Sequence, residues 1–183
     1  MRVFLAVEID EKLLGKIAAV QKQFSESEAP VKYVETENLH YTLKFFGEID
    51  KKKAKDIIKV VENKIQDYKP FEVNIKKSGA FPSEKYIRVL WLGMEDIEQF
   101  STLQKDLDTE FINMGFKKER SYIPHLTIGR VKGAGNKEEL LSKLKELEDV
   151  EIGEMVINKL VLKKSDLTPL GPIYTTLKEF DLK

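Results

Sequence analysis

Apolar positions along the chain recur at two spacings, and each change of spacing marks a new element. Arg2–Ile9 reads RVFLAVEI, a run rich in β-branched and aromatic residues that predicts a strand. Leu13, Leu14, Ile17, Val20 and Phe24 then fall at helical spacing. They predict a helix over Glu11–Ser25 with Asp10 as its N-cap. A short extended VKYV segment and a strand carrying His40 follow. Ala54, Ile57, Ile58, Val61 and Ile65 form the next stripe, a helix over Lys51–Asp67 capped by Asp50 and stopped before Pro70. The stretches FEVNIKKSGAF and KYIRVLWLG predict two strands linked across Pro82 and Ser83. A third helix runs from about Asp96 to Asn113, and Gly115 supplies a left-handed cap. Tyr122–Lys132 then reads as a strand and Lys137–Glu148 as a fourth helix. EMVINKLVLKKSDL and PIYTTLKEFDL are expected as two closing strands.

Helices are separated by strands and by strand pairs, not by a strict strand–helix alternation. The fold class expected is therefore α+β with largely antiparallel sheets. A weak internal twofold pattern accompanies it. His40 and His125 lie 85 residues apart, close to half of the 183-residue chain. Each histidine strand is followed by a turn, an amphipathic helix and a strand pair. Two similar lobes are expected, each contributing one histidine.

Side chains alternate along a strand. In the first histidine strand, His40, Thr42 and Lys44 are expected on the open face. Leu39, Tyr41, Leu43 and Phe45 are expected toward the core. In the second, His125 and Thr127 share the open face, and Leu126 and Ile128 take the core side. Both histidines, the only two in the chain, come out on the non-core side and are followed two residues later by threonine. Thr is 8 of 183 residues. Both histidines would acquire one by accident on the order of 0.2% of the time, so the pair outweighs a bystander reading of either histidine.

Composition narrows the chemistry. Hydrophobic residues are 42% and charged residues 34%, as in a globular chain able to bury a core. Lys+Arg and Asp+Glu are both 31, which argues against bulk non-specific nucleic-acid binding and leaves room for a local basic patch. The chain has no cysteine, so disulfides, thiol nucleophiles and thiolate metal sites are excluded. No run is apolar enough to span a bilayer, and the N-terminus turns charged after a short apolar run, unlike a signal peptide. A cytoplasmic protein without membrane association is expected.

A metal site normally wants three or four protein ligands, commonly with carboxylates among them, and the chain has no H-x-x-x-H spacing and no G-x-S-x-G nucleophile motif. Two facing imidazoles suit in-line phosphoryl displacement. One takes a proton from the attacking oxygen and the other gives one to the leaving oxygen. Threonine hydroxyls can donate to phosphate oxygens as charge grows on them. No metal and no cofactor is expected.

The motifs HYTL at 40–43 and HLTI at 125–128, with RVFLAVEID, NLHYTLKFFGE and PHLTIGRVK around them, resemble the two-histidine (2H) phosphoesterase superfamily. Within it they are similar to the RNA 2′,3′-cyclic phosphodiesterases, also called 2′-5′ RNA ligases. The resemblance covers essentially the whole chain. It implies a single bilobal domain over residues 1–183, one motif per lobe, with the active-site cleft between the lobes and helices on the outer faces. It implies hydrolysis of an RNA 2′,3′-cyclic phosphate end to a 2′-phosphate. It further implies that His40 is the proton donor, that His125 is the proton acceptor, and that Thr42, Thr127 and Arg130 bind the phosphate. Ligation by the reverse reaction, or a non-catalytic module that binds RNA ends, are the alternatives. A monomer is expected, because the cleft would be complete within one chain.

Arg130 raises a geometric conflict. It lies five residues after His125, so a regular strand would aim it at the opposite face. A bulge at Gly129 would re-aim it, or else Arg130 sits on an edge as a structural residue. Lys132 and Arg120 are expected as solvated charges, although FKKERSY could form a rim attractive to RNA. Phe4, Phe46 and Phe81 are expected in core packing in preference to base stacking, and Tyr122 carries the same two readings.

Overall fold

The fold is described from a computed structural model that covers all 183 residues. Strand β1 (Arg2–Glu8) leads into helix α1 (Glu11–Ser25), where the Asp10 side chain accepts a hydrogen bond from the Lys12 backbone N–H at 3.0 Å. Strands β2 (Val31–Tyr33) and β3 (His40–Glu48) follow. Helix α2 (Lys51–Lys64) is capped by Asp50, whose side chain accepts from the Lys53 N–H at 2.7 Å. Its last turn tightens over Ile65–Asp67, so the α-helix ends three residues before the expected point. Strands β4 (Phe71–Ser83) and β5 (Tyr86–Glu95) form a hairpin that turns at Glu84 and Lys85. Helix α3 (Glu98–Asn113) stops at Gly115, which holds φ +94° as a left-handed terminator should. Strand β6 (Leu126–Val131), helix α4 (Lys137–Glu146) and strands β7 (Glu151–Ile157), β8 (Lys159–Thr168) and β9 (Gly171–Asp181) complete the chain.

Every strand pairing is antiparallel, and the strands form one sheet in the order β7-β4-β5-β6-β3-β1-β8-β9, with β2 added beside β6. The class expected from sequence is the one observed. The order divides into two mirrored halves, β3-β1-β8-β9 and β6-β5-β4-β7. They meet at a single paired position, Tyr41 opposite Leu126. The histidine strands are the innermost strand of each half. The predicted strand EMVINKLVLKKSDL is in fact two, broken at Asn158. Its first part pairs with β4 and its second with β1, so one residue carries the chain from one half to the other.

Helix α1 follows β1 but packs on β6 and β7 of the opposite half, beside α4. Helix α3 follows β5 but packs on β3, beside α2. This reciprocal crossing ties the halves together, and one continuous cluster of 36 buried apolar residues runs through both. No helix is long and apolar enough to cross a membrane.

Two sequence expectations fail locally. The second histidine strand begins at Leu126, not at Tyr122. Pro124 has no N–H to give a ladder, and Tyr122–His125 lies outside the strand. In β3 the alternation breaks after Leu43. Lys44 is buried at 3% exposure, and Phe45 is 49% exposed, the reverse of the expected faces. The β1–β3 register slips by one residue between Leu5 opposite Lys44 and Ala6 opposite Thr42, leaving Leu43 as an extra residue. A bulge of this kind inverts every face beyond it.

Candidate active site

Strand β1 builds the floor beneath His40. Its apolar run buries both faces: Val3, Leu5 and Val7 join the main core, while Phe4 and Ala6 form a small second cluster with Val161. Tyr174 of β9 packs against that cluster. His40 stacks on Phe4 with ring centroids 4.8 Å apart and meets the edge of Tyr174 at 5.5 Å. His40 Nδ1 lies 2.7 Å from the Asn38 carbonyl oxygen, which can only accept, so Nδ1 carries the hydrogen. Nε2 is then left to face Thr42 Oγ1 at 3.0 Å.

His125 has a matching aromatic seat in the other half. Its ring lies 4.5 Å from Trp91 and 4.7 Å from Phe81, both edge-on. Phe81 is 41% exposed, so its expected place in the core is corrected: its contacts are with the site. Phe46 is in the core, between Phe111 and Phe116.

The motifs are brought together at the junction of the halves. Tyr41 opposite Leu126 is the one paired position there. The same antiparallel register, carried one residue each way, would set His40 across from Thr127 and Thr42 across from His125, which lies just before the start of β6. Tyr41 and Leu126 point into the core at 0% exposure, so the four motif side chains share the other face. Diagonal neighbours in a regular ladder are about 7–8 Å apart, a spacing that leaves room for a phosphate between the two imidazoles.

Arg130 reaches the same face because β6 is bulged. Leu90 pairs with Gly129 and Trp91 with Thr127, which leaves Ile128 as the extra residue. The bulge invoked from sequence is present, at the Ile128–Gly129 step. It corresponds to the bulge at Leu43 in β3, so Arg130 and Phe45 occupy equivalent places, each five residues after its histidine. Gly129 is needed for a further reason: a Cβ there would lie 2.8 Å from Val31 Cγ1 of β2.

At each bulge the carbonyl of the extra residue accepts a hydrogen bond from a buried glutamine of the helix that crosses over. Gln21 Nε2 of α1 donates to the Ile128 oxygen at 2.9 Å and to the Val34 oxygen at 3.0 Å. Gln104 Nε2 of α3 donates to the Leu43 oxygen at 2.8 Å. Gln21 was missed in the sequence, although a polar residue four positions after Ile17 on the buried stripe was the available signal. The Val34 N–H also donates to the Ile128 oxygen at 3.0 Å, so Gln21→Leu is expected to remove two buried side-chain hydrogen bonds without stranding that carbonyl and to cost about 1–3 kcal/mol of stability, measured by denaturant unfolding.

His40, Thr42, His125, Thr127 and Arg130 all line one cleft of about 460 Å³. Arg2, Lys32 and Lys132 also line it, with Glu35 as the one acid. Lys132 is exposed as expected, yet it borders the site. Arg2, Lys32, Asn38, Phe45, Tyr174 and the tip of the β8–β9 hairpin at Leu167 and Leu170 were not found from sequence. Most come from strands, and Asn38 and Leu170 from short turns, that distant parts of the chain bring to the site. Arg120 is exposed and lies outside the cleft. Tyr122 is a structural residue, its hydroxyl donating to Asp108 Oδ2 at 2.9 Å. No group of three or more His, Asp or Glu side chains is arranged as a metal site.

Burial pushes the His40 imidazole below its ordinary value. The hydrogen bond with Asn38 opposes this, the charges of Lys163 and Arg130 add to it, and Glu8 opposes it. Burial also lowers His125, against a backbone hydrogen bond with Ile123. Both rings are therefore neutral in the free protein at pH 7.

Residues 9–167 match the model of the 2′-5′ RNA ligase superfamily. A Methanothermobacter thermautotrophicus protein named RNA 2′,3′-cyclic phosphodiesterase is 49% identical over 182 residues, covering 100% of this chain and 99% of that one. A protein of the same name from Methanocaldococcus jannaschii is 43% identical, covering 98% of this chain and 100% of that one. Among solved structures, TT0787 of Thermus thermophilus superposes with a TM-score of 0.86 at 26% identity, covering 100% of this chain and 98% of that one. E. coli LigT complexed with 3′-AMP has the same fold, with a TM-score of 0.80 at 23% identity, covering 99% and 97% of the two chains. With the paired motifs on one face and the match running through both halves, the chain belongs to the 2′-5′ RNA ligase superfamily.

Proposed function

We propose that the protein is an RNA 2′,3′-cyclic phosphodiesterase that hydrolyses a terminal cyclic phosphate to a 2′-phosphate. The observation that carries this reading is the convergence of His40, Thr42, His125, Thr127 and Arg130 on one cleft face. The name shared by full-length relatives at 49% and 43% identity agrees with it. The chain acts as one unit with one motif from each half, so a monomer suffices.

In this mechanism His125 accepts a proton from water as its oxygen attacks phosphorus. The P–O3′ bond breaks, and His40 Nε2 delivers a proton to the departing 3′ oxygen. The 2′ oxygen keeps the phosphate. Thr42, Thr127 and the Arg130 guanidinium hold the non-bridging oxygens as their charge grows. Both imidazoles are depressed in the free protein, so His40 becomes an acid only once the bound phosphate favours its protonated form. In this scheme side chains accept the proton of the attacking water and deliver the one to the leaving oxygen, and the rate is expected to be unchanged in EDTA.

The test is product identification. The protein is incubated with an oligonucleotide ending in a 2′,3′-cyclic phosphate, with and without a 5′-hydroxyl acceptor, and followed by phosphorus NMR. Conversion to a 2′-monoester in both mixtures is expected. A 2′-5′ diester as the main product with acceptor present would make ligation the function. Persistence of the cyclic phosphate in both would leave only an RNA-end binding role.

A further inference from the structure

The cleft does not end at the motif residues. A second groove of about 310 Å³ adjoins it, and Lys132 lines both. One wall is the tip of the β4–β5 hairpin, with Lys85, Tyr86 and Arg88. The other is the Gly133–Gly135 turn and the start of α4 at Lys137. Four cations, Lys85, Arg88, Lys132 and Lys137, face one acid, Glu84.

This is a marked segregation in a chain whose formal charge is zero. Cleft and groove together gather Arg2, Lys32, Arg130, Lys132, Lys85, Arg88 and Lys137, against Glu35 and Glu84. None of these seven cations, and none of the chain's four arginines, enters any of the thirteen ion pairs. Acids were available elsewhere on the surface, and these cations are left without them. Like charges held together repel one another, and a bound polyanion relieves that repulsion. In the groove the Arg88 guanidinium lies 5.5 Å from the ring centre of Tyr86, and Tyr86 is 54% exposed. An exposed ring with an adjacent guanidinium is a stacking platform for a base, with a cation at hand for its phosphate.

We propose that this groove binds the RNA strand on the 5′ side of the cyclic phosphate. Tyr86 and Arg88 stack one base, and Lys85 and Lys137 contact backbone phosphates. The inference rests on the phosphodiesterase reading for what occupies the first cleft. It makes a strand of several nucleotides, not a cyclic mononucleotide, the preferred substrate.

Steady-state kinetics on a 2′,3′-cyclic mononucleotide and on a hexanucleotide with the same end test it. Wild type is expected to show a KM about tenfold lower for the hexanucleotide. Tyr86→Ala and Arg88→Glu are expected to remove that advantage and to leave the mononucleotide constants unchanged. The log–log salt dependence of hexanucleotide binding should become shallower by about 0.7 for each phosphate that a variant no longer neutralises. Equal KM values for the two lengths in wild type, or equal losses on both substrates in the variants, overturn the proposal. Anisotropy of a 5′-labelled hexanucleotide ending in a 2′-phosphate judges the groove even if nothing is turned over. There, an about tenfold weakening by Arg88→Glu supports it and an unchanged affinity overturns it. A poly-glutamate that binds as tightly, with the same dependence on Arg88, overturns the assignment to RNA.

Discussion

His125→Ala is expected to lower kcat by about 10²–10⁴-fold on a cyclic-phosphate oligonucleotide, and His40→Ala by a similar factor, with the fold intact in both. Neither ring belongs to the 36-residue core, so melting temperatures should stay near wild type. In the proposed mechanism both rings serve one displacement, so removing both should cost little more than removing one. The pH profile separates their roles. Both imidazoles are depressed by burial in the free protein, so the wild-type kcat/KM optimum is expected below pH 6.5. The kcat optimum should lie higher, because bound phosphate favours the protonated imidazole. With His40 gone, only the neutral His125 base remains, and the residual rate should rise with pH and then level. With His125 gone, only the His40 acid remains, and the rate should fall as pH rises through its pKa. The opposite assignment of limbs would exchange donor and acceptor. Near wild-type rates in both variants would remove the mechanism.

Much of this site was legible in the sequence because its signals are local. The paired H-x-T spacing, the caps at Asp10 and Asp50, and the helical stripes depend on residues within a turn or two of each other. What was not legible depends on partners far along the chain. Whether a strand bulges is decided by how many residues its neighbour sets opposite it, and Leu43 and Ile128 each become the extra residue only against β1 and β5. The same kind of bulge that aims Arg130 into the cleft, as Gly129 hinted, turns Lys44 into the interior, where no local pattern would put a lysine. Phe45, read as core, is Arg130's counterpart in the first half and lines the cleft. The crossing of α1 and α3 was equally invisible. An amphipathic stripe states that a face is buried and not which sheet buries it.

The internal lysine is where the largest loss of stability is expected. Lys44→Met should cost about 3–5 kcal/mol, the usual effect of removing one partner from a buried ion pair. Lys44 Nζ lies 2.7 Å from Asp108 Oδ1 and 3.2 Å from Glu119 Oε1, and it also donates to the Lys117 carbonyl. The Lys44 and Asp108 side chains are 4% and 1% exposed, so water cannot replace what the methionine removes. At about 2–4 °C per kcal/mol, the melting temperature should fall by roughly 6–20 °C. Asp108→Asn in the Lys44→Met background should restore part of the loss. It neutralises the stranded charge and keeps an oxygen for the Glu119 N–H and the Tyr122 hydroxyl. Burial pushes the Asp108 carboxyl up, but the hydrogen bonds from Lys44, Glu119 and Tyr122 outweigh it, and the group sits below its ordinary value. A depressed carboxyl contributes stability that is present above its unfolded pKa and is lost as pH falls through its folded one. The gap between wild type and Lys44→Met should therefore narrow in acid. A gap independent of pH would place the cost in packing and not in charge. The variant should also slow turnover at temperatures well below its melting point. Asp108 and Ser101, both on α3, hold the segment that leads into His125: Asp108 through Glu119 and Tyr122, and Ser101 by donating to the Tyr122 carbonyl at 2.8 Å. The lysine that the first bulge turns inward thus ties the strand of one histidine to the approach of the other.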